Sequence, residues 1–237
     1  VMIAAILDQV SSNERMVVDV MQLLDAVPEA TVKLFQDFDA QIESIETEVA
    51  RQLSPKKPTR LRFRHVPSCL CRPLRSMKEL RQDLIGHFVT LSGLVASMSS
   101  AKVVQVARNF LCACGARYTV KTSLMDGHQV GVCTGCGAPP VNFTDLGGGA
   151  MVDYQEIRVQ DITGLHCSHA LVVLTGELVS SAVPGDLVVV GGMLRARWPS
   201  SKILTLQLVL DARDIRPLHE VLPRTLCKPR TTTGDAW

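Results

Sequence analysis

Phe88-Val89-Thr90-Leu91-Ser92-Gly93-Leu94-Val95 is a run of apolar and β-favouring residues with one glycine inside it. Such a run reads as a β-strand. A glycine in a barrel strand marks a bend or a bulge. The same signature repeats downstream. Lys102 to Phe110 reads as another apolar strand, and Tyr154 to Gln160, Leu171 to Leu174, Leu187 to Val190 and Ile203 to Leu210 follow. Pro184-Gly185-Asp186 and Trp198-Pro199-Ser200-Ser201 supply the turns between them. Short strands punctuated in this way predict a sandwich or a barrel. A five-stranded Greek-key barrel of the OB type fits the length and commonly binds nucleic acid. The pattern alone does not choose an OB barrel over an SH3-like or other small barrel.

Upstream of that strand the character is different. Val32, Phe35, Phe38, Ile42, Ile45, Val49 and Leu53 recur at three- and four-residue intervals, which predicts one helix over residues 28–53 with an apolar face. Pro28 suits its first turn, and Glu43, Glu46 and Glu48 fall off the stripe. Met16 to Leu24 is apolar enough for a helix or a buried strand, and periodicity does not decide. Ser54-Pro55-Lys56-Lys57-Pro58-Thr59 cannot continue a helix. Beyond it Arg60, Arg62 and Arg64 alternate with Leu61, Phe63 and His65, as in a strand or extended linker.

Charge follows the same division. Residues 1–50 carry ten acids and two bases, residues 51–82 ten bases and one acid, and the whole chain is +2. An acidic helical layer followed by a basic connector either neutralises itself across a surface or offers the connector to phosphates. At 237 residues and 46% hydrophobic content the chain has an ordinary globular composition. No apolar run is long enough to span a bilayer. The opening Val1-Met2-Ile3-Ala4-Ala5-Ile6-Leu7 lacks the basic flank and cleavage site of a signal peptide. A chain that begins at Val1 reads as a fragment of something longer.

The sharpest chemical signal is Cys112-Ala113-Cys114-Gly115 followed by Cys133-Thr134-Gly135-Cys136-Gly137. Two thiolates three residues apart, then a glycine that turns the backbone back, make a zinc knuckle. Two such tips meeting on one tetrahedral ion predict a closed, structural Zn2+ site on Cys112, Cys114, Cys133 and Cys136. The first pair is one residue short, which leaves His128 as an alternative ligand. Disulfides are the competing reading of eight cysteines, but the spacing favours a reducing compartment. Gly147-Gly148-Gly149 has no Lys-Ser or Lys-Thr after it and is not a phosphate loop; it reads as a flexible exit from the metal lobe. His166 and His169 around Cys167 read as hairpin residues, not a catalytic set.

A family resemblance emerges over residues 86–198. Gly86-His87-Phe88-Val89-Thr90-Leu91-Ser92-Gly93-Leu94-Val95 resembles the opening barrel strand of the minichromosome maintenance (MCM) helicases. Asp153-Tyr154-Gln155-Glu156-Ile157-Arg158-Val159-Gln160-Asp161 resembles their aromatic-Gln-x-x-basic-apolar-Gln-acid stretch. Leu174-Thr175-Gly176-Glu177-Leu178-Val179, then Val183-Pro184-Gly185-Asp186-Leu187-Val188-Val189-Val190-Gly191-Gly192, is similar to two further blocks in the family's order. Tyr154 and Arg197-Trp198-Pro199 look more like the divergent eighth and ninth paralogues than the core six. The departures are the short first cysteine pair, a short Asp161 to Gly164 segment where a channel hairpin is expected, and Cys167-Ser168-His169 in place of Pro-Arg-Ser.

The resemblance implies an α+β fold: an N-terminal helical subdomain followed by an OB-type β-barrel with an inserted zinc-ribbon subdomain. The boundaries expected are a helical subdomain at 1–58, barrel at 59–110 and 151–220, zinc insertion at 111–150, and linker at 221–237. It implies a homo- or hetero-hexameric ring around single- or double-stranded DNA in the nucleus, serving replication or recombination repair. ATP and Mg2+ would belong to a C-terminal tier, since no Walker-type motif occurs in these residues. Lys102, Arg108, Arg158, Arg195, Arg197 and Lys202 are the candidate phosphate contacts, with Arg195 and Arg197 on one face of a strand. A grip of that kind is electrostatic and salt-sensitive. The alternative is a stand-alone zinc-ribbon/OB adaptor without a motor. A zinc enzyme fits less well, because four thiolates leave no open position on the ion.

Overall fold

A computed structural model describes residues 1–13, 16–53, 60–121, 131–162, 168–198 and 205–221. Helix α1 (Met2–Asn13) leads into a short strand β1 (Val17–Asp19), then α2 (Val20–Ala26), α3 (Pro28–Gln36) and α4 (Phe38–Leu53). Met16 to Leu24 is therefore strand first and helix second. Asp19 makes the switch, because its carboxylate accepts from the backbone N–H of Met21 and Gln22 and caps α2. The expected single helix over 28–53 is broken at Asp37, whose φ of −120° and ψ of 49° leave the helical region. The face also shifts. Thr31 and Leu34 are buried while Val32 is 37% exposed. The break lets Phe35 and Phe38 meet Phe63 and Phe88 in one aromatic cluster, with ring centroids 5.2 to 5.8 Å apart.

The connector supplies β2 (Arg62–Arg64), which pairs in parallel with β1. It also supplies β3 (Arg72–Pro73), in parallel with the first long strand, β4 (Phe88–Met98). The interval after β4 holds β5 (Lys102–Gln105), β6 (Ala107–Cys112), β7 (Arg117–Lys121) and β8 (Phe143–Asp145). The predicted strand over Lys102 to Phe110 is thus two strands in different sheets. They part where Val106 and Ala107 both donate to the carbonyl of Ala150. Then come β9 (Met151–Gln160), β10 (His169–Thr175), β11 (Leu187–Arg197), β12 (Gln207–Pro217) and a last turn of helix, α5 (Leu218–Val221).

Five strands close the barrel. β4 pairs antiparallel with β9, β9 with β10, and β11 with both β12 and β4, while β10 and β12 run parallel. That circuit, with its single parallel pair, is the OB arrangement. β4 is shared: Phe88 to Leu94 pair with β11, and Leu94 to Met98 with β9. Gly93 sits at the crossing, where a Cβ would come within 2.5 Å of the Gln160 carbonyl and Val159. This is the close approach that only glycine permits. The barrel core holds Val89, Leu91, Val95, Ile157, Val159, Val172, Leu174, Val190, Leu194 and Leu210. A second core is helical and borrows Phe88 from β4 and Met193 from β11, which seats the helices on the barrel wall.

An ionic seam joins the two bodies. Arg60 pairs with Asp211 and donates to Thr175, Arg213 pairs with Glu46, and Arg195 reaches Asp39 at 2.8 Å and Asp211 at 3.5 Å. Arg62 lies 3.3 Å from Glu177 and Arg64 3.7 Å from Asp214. For these three connector arginines neutralisation across a surface prevails over phosphate contact. Burial alone would raise the Asp211 carboxyl, but Arg60, then Arg213 and Arg195, outweigh it and hold it below the usual carboxylate range. At Asp214 burial wins over Arg216, Arg64 and Arg62, and its carboxyl is pushed up.

Candidate metal centre and nucleic-acid face

The three strands β7-β6-β8 form a ribbon in the interval between the first and second barrel strands. β6 ends on Cys112, and the chain turns at once, with Gly115 at φ +88° donating to the Cys112 carbonyl at 2.8 Å. The second tip repeats the device: Gly137, at φ +72°, donates to the Cys133 carbonyl at 2.8 Å. These left-handed positions bring both tips round, and all four sulfur atoms of Cys112, Cys114, Cys133 and Cys136 lie within 4.8 Å of one another. The near contacts run between tips: 3.6 Å from Cys112 Sγ to Cys136 Sγ and 3.7 Å from Cys114 Sγ to Cys133 Sγ. Tetrahedral thiolates about 2.3 Å from a zinc ion are about 3.8 Å apart, so the donor set fits such an ion. The one-residue Cys112–Cys114 spacing is accommodated because one cysteine ends the strand and the other rides on the turn. His128 lies outside the described residues.

Electrostatics point the same way. The backbone N–H groups of Gly135 and Cys136 lie 3.3 and 3.4 Å from Cys133 Sγ, and the Tyr118 hydroxyl lies 2.9 Å from it. Toward a thiolate the hydroxyl is the donor. The hydrogen bond from Tyr118, with these N–H groups, draws the Cys133 thiol down to about 6 despite desolvation. Cys136 goes the other way. The Ala138 N–H favours its thiolate, but the neighbouring thiols of Cys133, Cys112 and Cys114 push it up to about 12. Four sulfurs this close cannot all ionise without a cation among them. Tyr118 stands opposite Phe110 in the ribbon and stacks on Phe143 at 5.6 Å. Sequence reading missed it; its place on the strand beside the first cysteine pair was the available signal.

The candidate phosphate contacts divide into groups. Lys102 and Arg158 are exposed, on β5 and β9; Lys102 stands in register with Tyr154, and Arg158 with Leu171 and Ser97. Tyr154, Glu156 and Arg158 alternate onto the outer barrel face, away from the buried Gln155, Ile157 and Val159. Arg197 crosses to this group, 2.6 Å from Glu156 and 3.1 Å from the Tyr154 hydroxyl, with Gln207 accepting at 3.0 Å. Burial would raise the Glu156 carboxyl, but Tyr154 and Arg197 outweigh it and hold it low. Burial and that same carboxylate push the Tyr154 hydroxyl up to about 12. Arg108 stands at the ribbon's root, donating to Gln105 at 2.9 Å. Arg195 is drawn away into the seam with Asp39 and Asp211. Lys202, Cys167 and His166 lie outside the described residues, as do Thr163 and Gly164 of the Asp161 to Gly164 segment where a channel hairpin is expected. Gly147, Gly148 and Gly149 all take positive φ, and the Gly148 carbonyl accepts from Gln105 at 2.7 Å. Among the described residues no helix is long and apolar enough to cross a membrane.

Comparison with known proteins agrees with this architecture. The family profile of the MCM OB domain matches residues 76–197. Cattle DNA helicase MCM8 is 29% identical over 142 residues, covering 52% of this chain and 16% of that protein. A probable DNA helicase MCM9 of indica rice is 28% identical over 162 residues, covering 62% of this chain and 24% of that protein. The chain thus spans about a sixth to a quarter of the length of these curated relatives. Among solved structures, the N-terminal domain of an archaeal MCM superposes with a TM-score of 0.70 at 17% identity, covering 91% of each chain.

Proposed function

The chain belongs to the minichromosome maintenance family, and from that premise we propose that it is the DNA-binding, ring-forming N-terminal region of an ATP-dependent DNA helicase. The observation that carries the proposal is the closed barrel, with Lys102 and Arg158 exposed on its outer face beside the Tyr154–Glu156–Arg197 network. A cationic barrel face tracks a sugar–phosphate backbone without reading its sequence. Lys102, Arg108 and Arg158 supply charge to that track. Arg197 holds the β11 end over β9, and Arg195 serves the seam.

Cys112, Cys114, Cys133 and Cys136 hold a structural Zn2+ in this proposal. The ion would tie together a lobe with little core of its own, and that lobe would face neighbouring subunits of a hexamer. ATP and Mg2+ act in a tier outside these residues, in the nucleus, in replication or recombination repair. The relatives named as DNA helicases support this reading.

Fluorescence anisotropy of labelled oligo-dT against salt tests the proposal. The wild-type chain is expected to bind with a steep salt dependence. A Lys102→Ala/Arg158→Ala variant is expected to bind more weakly, with the log–log salt slope reduced by about 1.4, at about 0.7 per phosphate contact on a single strand. Absence of binding to single-stranded and duplex DNA at low salt would overturn the proposal.

A further inference from the structure

An aromatic ring stands among the cations of the outer barrel face. Tyr154 and Arg158 alternate outward along β9, and Lys102 stands in register with Tyr154 on β5. Residues in register on neighbouring strands have Cβ atoms about 5 Å apart. Four residues of strand carry Arg158 about 13 Å farther along, at about 3.3 Å per residue. The Tyr154 ring is thus bracketed by two exposed cations, with Lys102 beside it and Arg158 beyond it.

The ring is half-buried and held from two directions. Its body packs against the cluster of Val173 on β10 and Val209 on β12, two valines that are fully buried outside the barrel core. Its hydroxyl donates to Glu156 on β9 and accepts from Arg197, at the end of β11, at 3.1 Å. The hydroxyl, pushed up to about 12, keeps its proton and stays a donor to Glu156. Covering two valines needs only apolar surface, which a leucine would supply. The hydroxyl bonds do something more: they fix the plane of the ring along the wall and leave its other side to solvent, between Lys102 and Arg158.

We propose that Tyr154 is a stacking platform for one unpaired base, whose neighbouring phosphates are taken by Lys102 and Arg158. A single nucleic-acid strand is a ligand in which flat rings and anionic groups alternate along one chain, and the bracketed ring matches that alternation. Stacking accepts any base, since each has a π-face, so the platform adds affinity without reading sequence. A duplex keeps its bases stacked on one another and offers none to the ring. The platform therefore makes this face favour single-stranded over duplex DNA, a preference that cations meeting phosphates do not supply by themselves. A ring already pinned by Glu156 and Arg197 has little side-chain freedom left to lose when a base arrives.

This inference rests on the DNA-binding reading above, and the test separates the two. Labelled oligo-dT and an abasic strand of the same length are titrated at several salt concentrations with wild type, Y154L and Y154W. Wild type is expected to bind oligo-dT about tenfold more tightly than the abasic strand. Y154L is expected to lose that advantage while keeping the wild-type salt slope, because stacking releases no counterions. Y154W, which keeps a π-face, is expected to retain the advantage. If wild type binds neither strand, the DNA-binding reading fails and takes the platform with it. If wild type binds both strands equally, or Y154L keeps the preference for oligo-dT, the platform fails alone. A Y154L variant weakened alike on both strands overturns it too, since the ring would then serve only the wall beneath it. Should Y154L lose its thermal transition, the wild-type comparison of the two strands carries the same test.

Discussion

Tyr118 gives the four-thiol cluster an asymmetry. Its hydroxyl meets one sulfur, Cys133, at 2.9 Å, while its ring is fixed by stacking on Phe143. A hydrogen bond to a charged group is worth about 1.5 to 3 kcal/mol, and here it favours the thiolate of Cys133, the form that would bind the ion, over the thiol. Tyr118→Phe keeps the stack and removes only the donor. With zinc loaded, this variant is expected to surrender the metal to a chromogenic chelator about tenfold faster than wild type, the equivalent of about 1.4 kcal/mol. Equal release rates would show that the hydroxyl serves only the protein's shape. The cysteines themselves were legible in the sequence, because their spacing is the one that a tetrahedral ion would require. Tyr118 was not, because its role arises from strand register: β7 lies against β6 so that Tyr118 faces Phe110, and register is a property of the folded sheet.

At the scale of elements, the seam between helices and barrel shows what a charge count can and cannot tell. The acidic first fifty residues and the basic connector were plain in the sequence, but not their allocation. Arg60, Arg62 and Arg64 pair with acids of the barrel, whereas Arg72, Lys78 and Arg81 are exposed and form no ion pair among the described residues. In β2 the two-residue alternation sends Leu61 and Phe63 into the helical core and leaves the arginines between them to the barrel acids. The Asp37 break was hidden for a related reason: Phe35 and Phe38 satisfy a helical period equally well in one helix or two. In the seam, Asp211 faces Arg60, Arg213 and Arg195, with Glu46 beyond Arg213. Its carboxyl is depressed, so the stability it contributes is present above the ordinary carboxylate pKa near 4 and is lost as pH falls through the lower folded value. Asp211→Asn takes the charge from part-buried Arg60 and Arg195, while the buried Arg213 keeps Glu46, and it is expected to cost about 3 kcal/mol at neutral pH. Urea midpoints of wild type and variant should therefore converge on acidification. A gap that stays constant down to pH about 2 would contradict the assignment.

Over the whole molecule, the barrel and the helices each have a continuous apolar core, and the described ribbon residues contribute to neither. Beyond its strand pairing and the rings of Phe110, Tyr118 and Phe143, the cysteine cluster is what holds the ribbon together. Stripping metal from the zinc-loaded protein is expected to abolish amide protection in β6, β7 and β8 while β4 and β9 to β12 keep theirs. The thermal transition of the barrel should persist. Hydrogen exchange resolved by residue checks this, and simultaneous loss of protection in the barrel strands would contradict it. The five-strand circuit was only partly legible. The strands and turns were in the sequence, but Gly93 had two possible meanings, bend or bulge. It was the sharing of β4 between β11 and β9 that gave it a third, a place where a neighbouring backbone needs the room.

Gln105 and Met151 are partners in register on β5 and β9, so the chain leaves for the ribbon and returns from it at adjacent points. Everything between is a detour hung from one rung of the sheet. A lineage can lengthen, shorten or rewrite such a detour without disturbing the wall it hangs from. Ribbon and barrel are thus free to diverge at different rates within one gene.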